Sequence, residues 1–192
     1  MEASDLAVVA RVRAGDHDAF RHLVERHSRS VFRLAYRLTG HEQDAEDVVQ
    51  ETFLRAFREL RRFEARSSFA TWLYRIAVNC SHDLLRQRPR NGSRPSLDDP
   101  DLGLAAELAD PSASADPLRE LASRRIDERV RSAMGELSDQ ERSAFVMRHF
   151  EGLSIEEIGR VLDLKTSAAK HSVFRAVHKL RRALEPVAEL SR

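Results

Sequence analysis

The chain has 192 residues, 32 Lys and Arg against 31 Asp and Glu, and a formal net charge of +1, so overall charge names no partner. Its one cysteine, Cys80, excludes an intramolecular disulfide and a cysteine-based metal centre, and its eight histidines lack metal-ligand spacing, so no metal or cofactor is expected. No stretch reads as a signal peptide and no run approaches ~20 apolar residues, which predicts a cytoplasmic chain without membrane insertion.

Charge is informative only by position. Residues 1–95 carry 17 basic and 13 acidic groups, residues 96–118 carry no base and 6 acids, and residues 119–192 carry 15 bases and 12 acids. Two mildly basic blocks therefore flank an acidic connector. With only 7 Gly and apolar residues at helical spacing, the fold class is all-α.

Helices are expected over 5–14 and 16–38. Asp16 caps the second, and Phe20, Leu23, Val24, Val31, Leu34, Ala35 and Leu38 form its apolar stripe. Thr39-Gly40-His41 is a break. A third helix runs from Asp44 to Phe63, with acids in its first turn to suit the macrodipole. Its expected core face is Val49, Phe53, Phe57 and Leu60. Asp47, Gln50 and Glu51, at i, i+3 and i+4, share a polar face away from that stripe. On periodicity alone that face reads as simply solvated. Ser67 or Ser68 caps a fourth helix, which runs to about Gln87 and is stopped by Pro89. Between Phe63 and Arg90, the rings of Phe69, Trp72 and Tyr74 stand near Arg86, Arg88 and Arg90, with Arg94 beyond. Rings that stack on bases beside guanidinium groups that pair with phosphates suit a single-stranded nucleic acid. The alternative is that Trp72, Leu73 and Ile76 are core.

Residues 89–117 hold five of the chain's six prolines, with Ser, Asp and Gly, and read as a flexible acidic linker with a short helical turn at 102–109. Asp116-Pro117 then opens a second helical domain. The domain limits are 1–90, 91–116 for the linker, and 117–192. Helices are expected over 117–135, 138–150, 154–162 and 166–185. Ser138 with Glu141 and Ser154 with Glu157 form capping boxes. Gly159 costs about 1 kcal/mol against Ala in mid-helix, and a close helix crossing is its expected reason. Asp163-Leu164-Lys165 makes a turn with Leu164 inward, and Thr166 or Ser167 caps the last helix. From Lys165 to Arg182 there are six Lys or Arg, two His and no acid. Ala169, Val173, Ala176, Val177, Leu180 and Leu184 form its apolar stripe. Lys170, His171, Ser172, Phe174, Arg175, His178 and Lys179 lie opposite. This is the layout of a helix-turn-helix whose second helix enters a DNA major groove. A solvated bundle face is the alternative, but such faces usually mix signs.

Four segments, in this order, resemble a sigma-70-type transcription initiation factor: DVVQETF from Asp47 to Phe53, FATWLYRIAVN from Phe69 to Asn79, LSDQER from Leu137 to Arg142, and GLSIEEI from Gly152 to Ile158. The two-domain length is similar to the extracytoplasmic-function (ECF) group, which keeps only sigma regions 2 and 4. The resemblance implies that Asp47, Gln50 and Glu51 grip the clamp helices of core RNA polymerase. It implies that the loop 63–71, with Ser67, Ser68 and Phe69, holds a flipped base of the −10 element, and that Asn79, with Asp83 and Arg86 on its face, helps to read that element. Lys170, His171, Ser172, Phe174, Arg175 and Lys179 would meet the −35 element as duplex. An anti-sigma factor is a further partner that the family admits. The sequence departs from the family where many members have Pro-x-Gly-Thr-Val-Arg-Ser-Arg. Here Lys165 to Ser172 replaces it, the last Arg becomes Ser172, and the bidentate guanine contact of that Arg is lost. The rival readings are a stand-alone helix-turn-helix regulator and a helical interaction adaptor. No paired carboxylates, Gly-rich phosphate loop or nucleophile motif point to an enzyme, and no catalytic residue is expected.

Overall fold

The computed structural model describes residues 4–87, 129, 130 and 132–190, the last six by backbone alone. The expected linker, the cap at Asp116-Pro117 and most of the helix expected over 117–135 lie outside the described residues. The elements are α1 (Asp5–Arg13), α2 (Phe20–Thr39), α3 (Glu42–Glu59), α4 (Phe69–Gln87), α5 (Asp139–His149), α6 (Ile155–Leu162) and α7 (Thr166–Leu190), with 3-10 turns at His17–Ala19 and Leu60–Arg62. Among the described residues there is no strand.

Local chemistry sets the helix ends. Asp16 accepts the Ala19 amide at 3.2 Å ahead of α2. Gly40, at φ 73°, turns the chain out of α2 with its N–H on the Tyr36 carbonyl at 2.7 Å. Ser68, rather than Ser67, caps α4, its Oγ accepting the Thr71 amide at 3.0 Å. Both capping boxes are formed. Glu141 and Glu157 offer their N–H groups to Ser138 and Ser154, and their carboxylates take the serine amides at 3.1 and 2.9 Å. Each such cap contributes on the order of 1 kcal/mol. α7 begins at Thr166, with the Lys165 carbonyl accepting from Ala169, so Lys165 holds the cap position expected for Thr166 or Ser167.

In the first half, α2, α3 and α4 close around Leu23, Val31, Leu34, Val48, Leu73 and Ala77, and α1 adds Val8, Val9 and Val12. Fully burying one such side chain stabilises by about 1.5–3 kcal/mol. The buried stripe of α3 is Ala45, Val48, Thr52, Phe53 and Ala56, with Leu60 following. This corrects the expected stripe. Phe57 is 41 % exposed and lies at the rim, its ring 5.1 Å from that of Phe20. Ala45 and Ala56 are fully buried, so the face that carries them is the one pressed inward and Phe57 stands to its side.

In the second half, Ala144, Val146, Met147, Ile158, Val161, Ala169, Ala176 and Leu180 form the core beneath the helix-turn-helix. The expected reason for Gly159 is also corrected. A Cβ there would stand 2.8 Å from the Leu164 carbonyl oxygen, so glycine is needed by the turn rather than by a helix crossing. Asp163, at φ 55°, adopts the left-handed conformation that ends α6.

The halves meet through polar contacts. Arg37 of α2 donates to Glu151 at 3.0 Å, with side chains only 8 % and 4 % exposed. The Tyr74 hydroxyl donates to the same carboxylate at 2.9 Å, and Arg37 lies 4.3 Å from the centre of the Phe150 ring. Burial, and then the Glu151 charge, push the Tyr74 phenol up to about 12. Thr71 donates to Glu157 at 3.2 Å, and Arg142 reaches the Leu38 carbonyl at 3.3 Å. His82 and Ser143 are 2.9 Å apart.

Candidate functional site

Three exposed surfaces carry the residues singled out in the sequence. The first is a groove of about 460 Å³ between α3 and α4. Asp47 and Gln50 line it and are exposed, and Glu51 is half-buried. Glu51 accepts from Arg55 Nε at 2.6 Å, and the same guanidinium reaches Asp83 of α4 at 3.3 Å. The hydrogen bond that Arg55 donates to Glu51 raises the Arg55 pKa. Arg86, and then Arg55, hold the Asp83 carboxyl below its ordinary value. Asp83 therefore lines the α3 groove while standing one turn from Asn79 on α4. Leu54 is an exposed apolar side chain in the same groove. The sequence reading missed Leu54 and Arg55, although the i, i+4 spacing of Glu51 and Arg55 marks an ion pair on one face. Cys80 lies buried at the groove's lining, and burial pushes its thiol up. It is a structural thiol, not a reactive one.

The second surface is the loop ahead of α4. Arg13, which the sequence did not flag, anchors it. Its guanidinium donates to the carbonyls of Leu60 at 2.8 Å, Arg61 at 3.2 Å and Phe63. Ala65, at φ 54°, bends the loop outward. Ser67 donates to the Ser68 carbonyl at 3.3 Å, while Ser68 is exposed but committed to Thr71. Phe69 is a correction. It is 2 % exposed, with its ring 5.7 Å from Phe63 and 5.6 Å from Trp72, so it supports the loop from below and offers no face to a base. Tyr74 is buried too, and Trp72 is half-buried, so the rings expected to stack are largely core. Along α4, Arg75, Asn79 and Arg86 are exposed.

The third surface is the outer face of α7. Lys170, His171, Phe174, Arg175, His178 and Lys179 are all exposed there. Phe174 is 68 % exposed and stacks beside His178 at 6.4 Å. Ser172 is a second correction. It is 0 % exposed, donates to the Ala168 carbonyl at 3.0 Å and accepts from Gln140 of α5 at 2.7 Å. The α5–α7 contact takes that side of the helix, so Ser172 cannot reach DNA. Arg175 and Lys179 both bind Glu141 of α5, at 3.1 and 2.6 Å.

Among the described residues, no cluster of His, Cys, Asp or Glu could hold a metal ion, and no helix is long and apolar enough to cross a membrane.

The two halves match two family models. Sigma-70 region 2 matches residues 23–91, and Sigma-70, region 4 matches residues 127–180. The chain is 34 % identical to the RNA polymerase sigma-H factor of Pseudomonas aeruginosa, over 97 % of this chain and 96 % of that one. It is 32 % identical to the ECF RNA polymerase sigma-E factor of Haemophilus influenzae, over 97 % and 98 %. Among solved structures, CnrH in complex with the cytosolic domain of CnrY is similar at 31 % identity and a TM-score of 0.66, over 93 % of this chain and 96 % of that one. By its two matched regions and by relatives aligned along nearly its whole length, the chain belongs to the sigma-70 family, as a sigma factor of the ECF group.

Proposed function

We infer that this sigma factor binds core RNA polymerase and directs promoter-specific initiation, with one task on each exposed surface. Asp47, Gln50 and Glu51, with Leu54 in the same groove, take the polymerase. The apolar Leu54 inside an acidic rim suits a helical partner with a basic flank and an apolar contact. The loop 63–68 with Asn79 and Arg86 takes the −10 strand. A flipped base costs a few kcal/mol of unstacking, and the loop recovers it through serine hydroxyls and exposed backbone held by Arg13. Asn79 can both donate to and accept from a base edge. The outer face of α7 takes the −35 duplex, with Lys170, His171, Phe174 and Arg175 turned to it and Lys179 beside them, tied to Glu141. The division into 1–90, a linker at 91–116, and 117–192 follows this split. An inhibitor protein is a further proposed partner, on the precedent of CnrH, which was solved in complex with the cytosolic domain of CnrY. The chain works in the cytoplasm, and it supplies binding and strand capture while the polymerase supplies the chemistry.

The observation that carries the reading is the exposed face of α7, which bears no acid from Lys165 to Arg182, on the same chain as the acidic α3 groove. The test is run-off transcription with core polymerase on a promoter library. A subset of templates should initiate only when the chain is added. Initiation on no template would overturn the reading. Tight sequence-specific duplex binding by the chain alone, with no effect on polymerase, would favour a stand-alone regulator.

A further inference from the structure

Glu141 sits in the first turn of α5, and its side chain is 6 % exposed. Three donors converge on it. The Ser138 amide reaches Oε2 at 3.1 Å, Lys179 Nζ reaches Oε2 at 2.6 Å, and Arg175 Nε reaches Oε1 at 3.1 Å. The first of these closes the capping box, and a glutamine would serve that purpose equally. The other two come from α7, and the cap needs neither of them. Burial raises the carboxyl, but Lys179, the Ser138 amide and Arg175 together bring it down to about 2. It is therefore ionised throughout the neutral range. A buried charge where an amide would complete the cap is there for what it holds.

What it holds lies on the face proposed for DNA. Arg175 is bonded through Nε, which fixes the plane of the guanidinium. Among the described residues, no other partner takes its two terminal nitrogens, and those are the atoms that span O6 and N7 of guanine. An arginine already held in one rotamer has less freedom to lose on binding a base. Ser172, at the place where many relatives carry an arginine, is buried and cannot share this task. Lys179 is the opposite case. Its ammonium lies against the carboxylate, so its charge is largely answered before DNA arrives. Lys170, nine residues nearer the start of α7, has no ion pair among the described residues.

We propose that Glu141 is a positioning residue for −35 recognition, which holds Arg175 as a fork for a guanine and withdraws Lys179 from phosphate binding. The proposal rests on the promoter reading given above. It predicts that removing one negative charge strengthens indiscriminate binding while weakening discrimination, a combination that a purely structural cap would not produce.

The experiment assembles holoenzyme from core polymerase and the full chain, and selects binders from a promoter library randomised over the −35 element. Wild type should enrich a motif with at least one fixed guanine. Glu141→Gln keeps the capping box but gives up both ion pairs, so its unfolding transition should fall, and binding is compared at a temperature where both chains are folded. Its preference at that guanine should fall at least about fivefold, the low end for losing one bidentate contact. Its salt dependence should steepen by about 0.9 in log K against log[salt] as Lys179 gains a phosphate. Arg175→Ala should lose the same preference, and adding Glu141→Gln to it should change nothing more at that base. Two surface variants serve as an independent check. Lys179→Ala should leave the slope unchanged, whereas Lys170→Ala should reduce it by about 0.9. An unchanged motif and slope in Glu141→Gln, or equal slope losses in Lys170→Ala and Lys179→Ala, would overturn the proposal. If wild type enriched no −35 motif, the promoter reading itself would fail, which is a separate and recognisable result.

Discussion

Replacing Glu151 by glutamine removes the carboxylate charge opposite Arg37 and preserves its shape. Both side chains are nearly sealed from water, at 8 % and 4 % exposure, and the pair joins α2 to the segment between α5 and α6 across 114 residues of chain. Breaking a buried pair by removing one partner costs about 3–5 kcal/mol, because the remaining charge keeps its desolvation penalty. The glutamine oxygen can still accept from Tyr74, so the hydroxyl bond contributes little to the difference. Replacing both partners by methionine should recover most of the loss, since an apolar pair of similar volume is often neutral or better at such a site. Urea unfolding should be followed by two probes. The fluorescence of Trp72, the only tryptophan, reports the first half, and far-UV circular dichroism reports every helix. In wild type the two curves should coincide, because the shared ion pair couples the halves. In Glu151→Gln they should separate, with the weaker half unfolding first. A loss below about 1 kcal/mol, with no recovery in the double variant, would mean that Arg37 and Glu151 face water, and the reasoning from burial would be refuted.

Three other outcomes follow from the same geometry. Gly159→Ala gains about 1 kcal/mol of helix propensity, but its Cβ would stand 2.8 Å from the Leu164 carbonyl, and overpacking costs about 1–3 kcal/mol. A net loss of about 1 kcal/mol in denaturant is expected, and a gain in stability would contradict it. Arg13→Ala removes the donors that hold the carbonyls of Leu60, Arg61 and Phe63, so trypsin should cut faster at Arg61, Arg62 and Arg66 under native conditions. An unchanged cutting rate would show that the loop does not depend on Arg13. Burial holds His82 below its ordinary 6.5, so protonation favours the state in which it is free. Its contribution is complete above about pH 6.5 and is lost as pH falls through the lower folded value. Stability measured from pH 7.5 to 5 should therefore fall less steeply in His82→Gln than in wild type, and parallel curves would count against the assignment.

The features legible in the sequence were those decided within four residues. Ser138 with Glu141 and Ser154 with Glu157 declare themselves because both partners of each bond lie in one helical turn. The acid-free outer face of α7 was equally plain, since its charge pattern is local. Phe57 was misplaced because helical spacing fixes the interval between apolar residues, while the side that faces inward depends on the helix lying across it. Here that side is the one that carries Ala45 and Ala56. Phe69 and Ser172 failed for a related reason. A phenyl ring or a hydroxyl carries no mark of which side its backbone will be pressed against. Glu141 was read only as a cap because its cations arrive 34 and 38 residues later, and Arg37 with Glu151 left no local sign at all.

The turn between α6 and α7 is fixed by backbone. The Leu164 carbonyl occupies the space above Gly159, and the Leu164 amide donates to the Gly159 carbonyl at 2.8 Å. The angle between α6 and α7 is thus set by backbone groups whose close approach glycine at 159 permits, and by small inward residues such as Ala169 and Ala176. Lys170, His171 and Phe174, which are exposed and bond to no other element among the described residues, take no part in setting it. On the −35 role proposed for this face, substitutions at Lys170, His171 or Phe174 would change what is read while α7 keeps its pose, and a new promoter preference would be reachable by single steps that leave the fold intact.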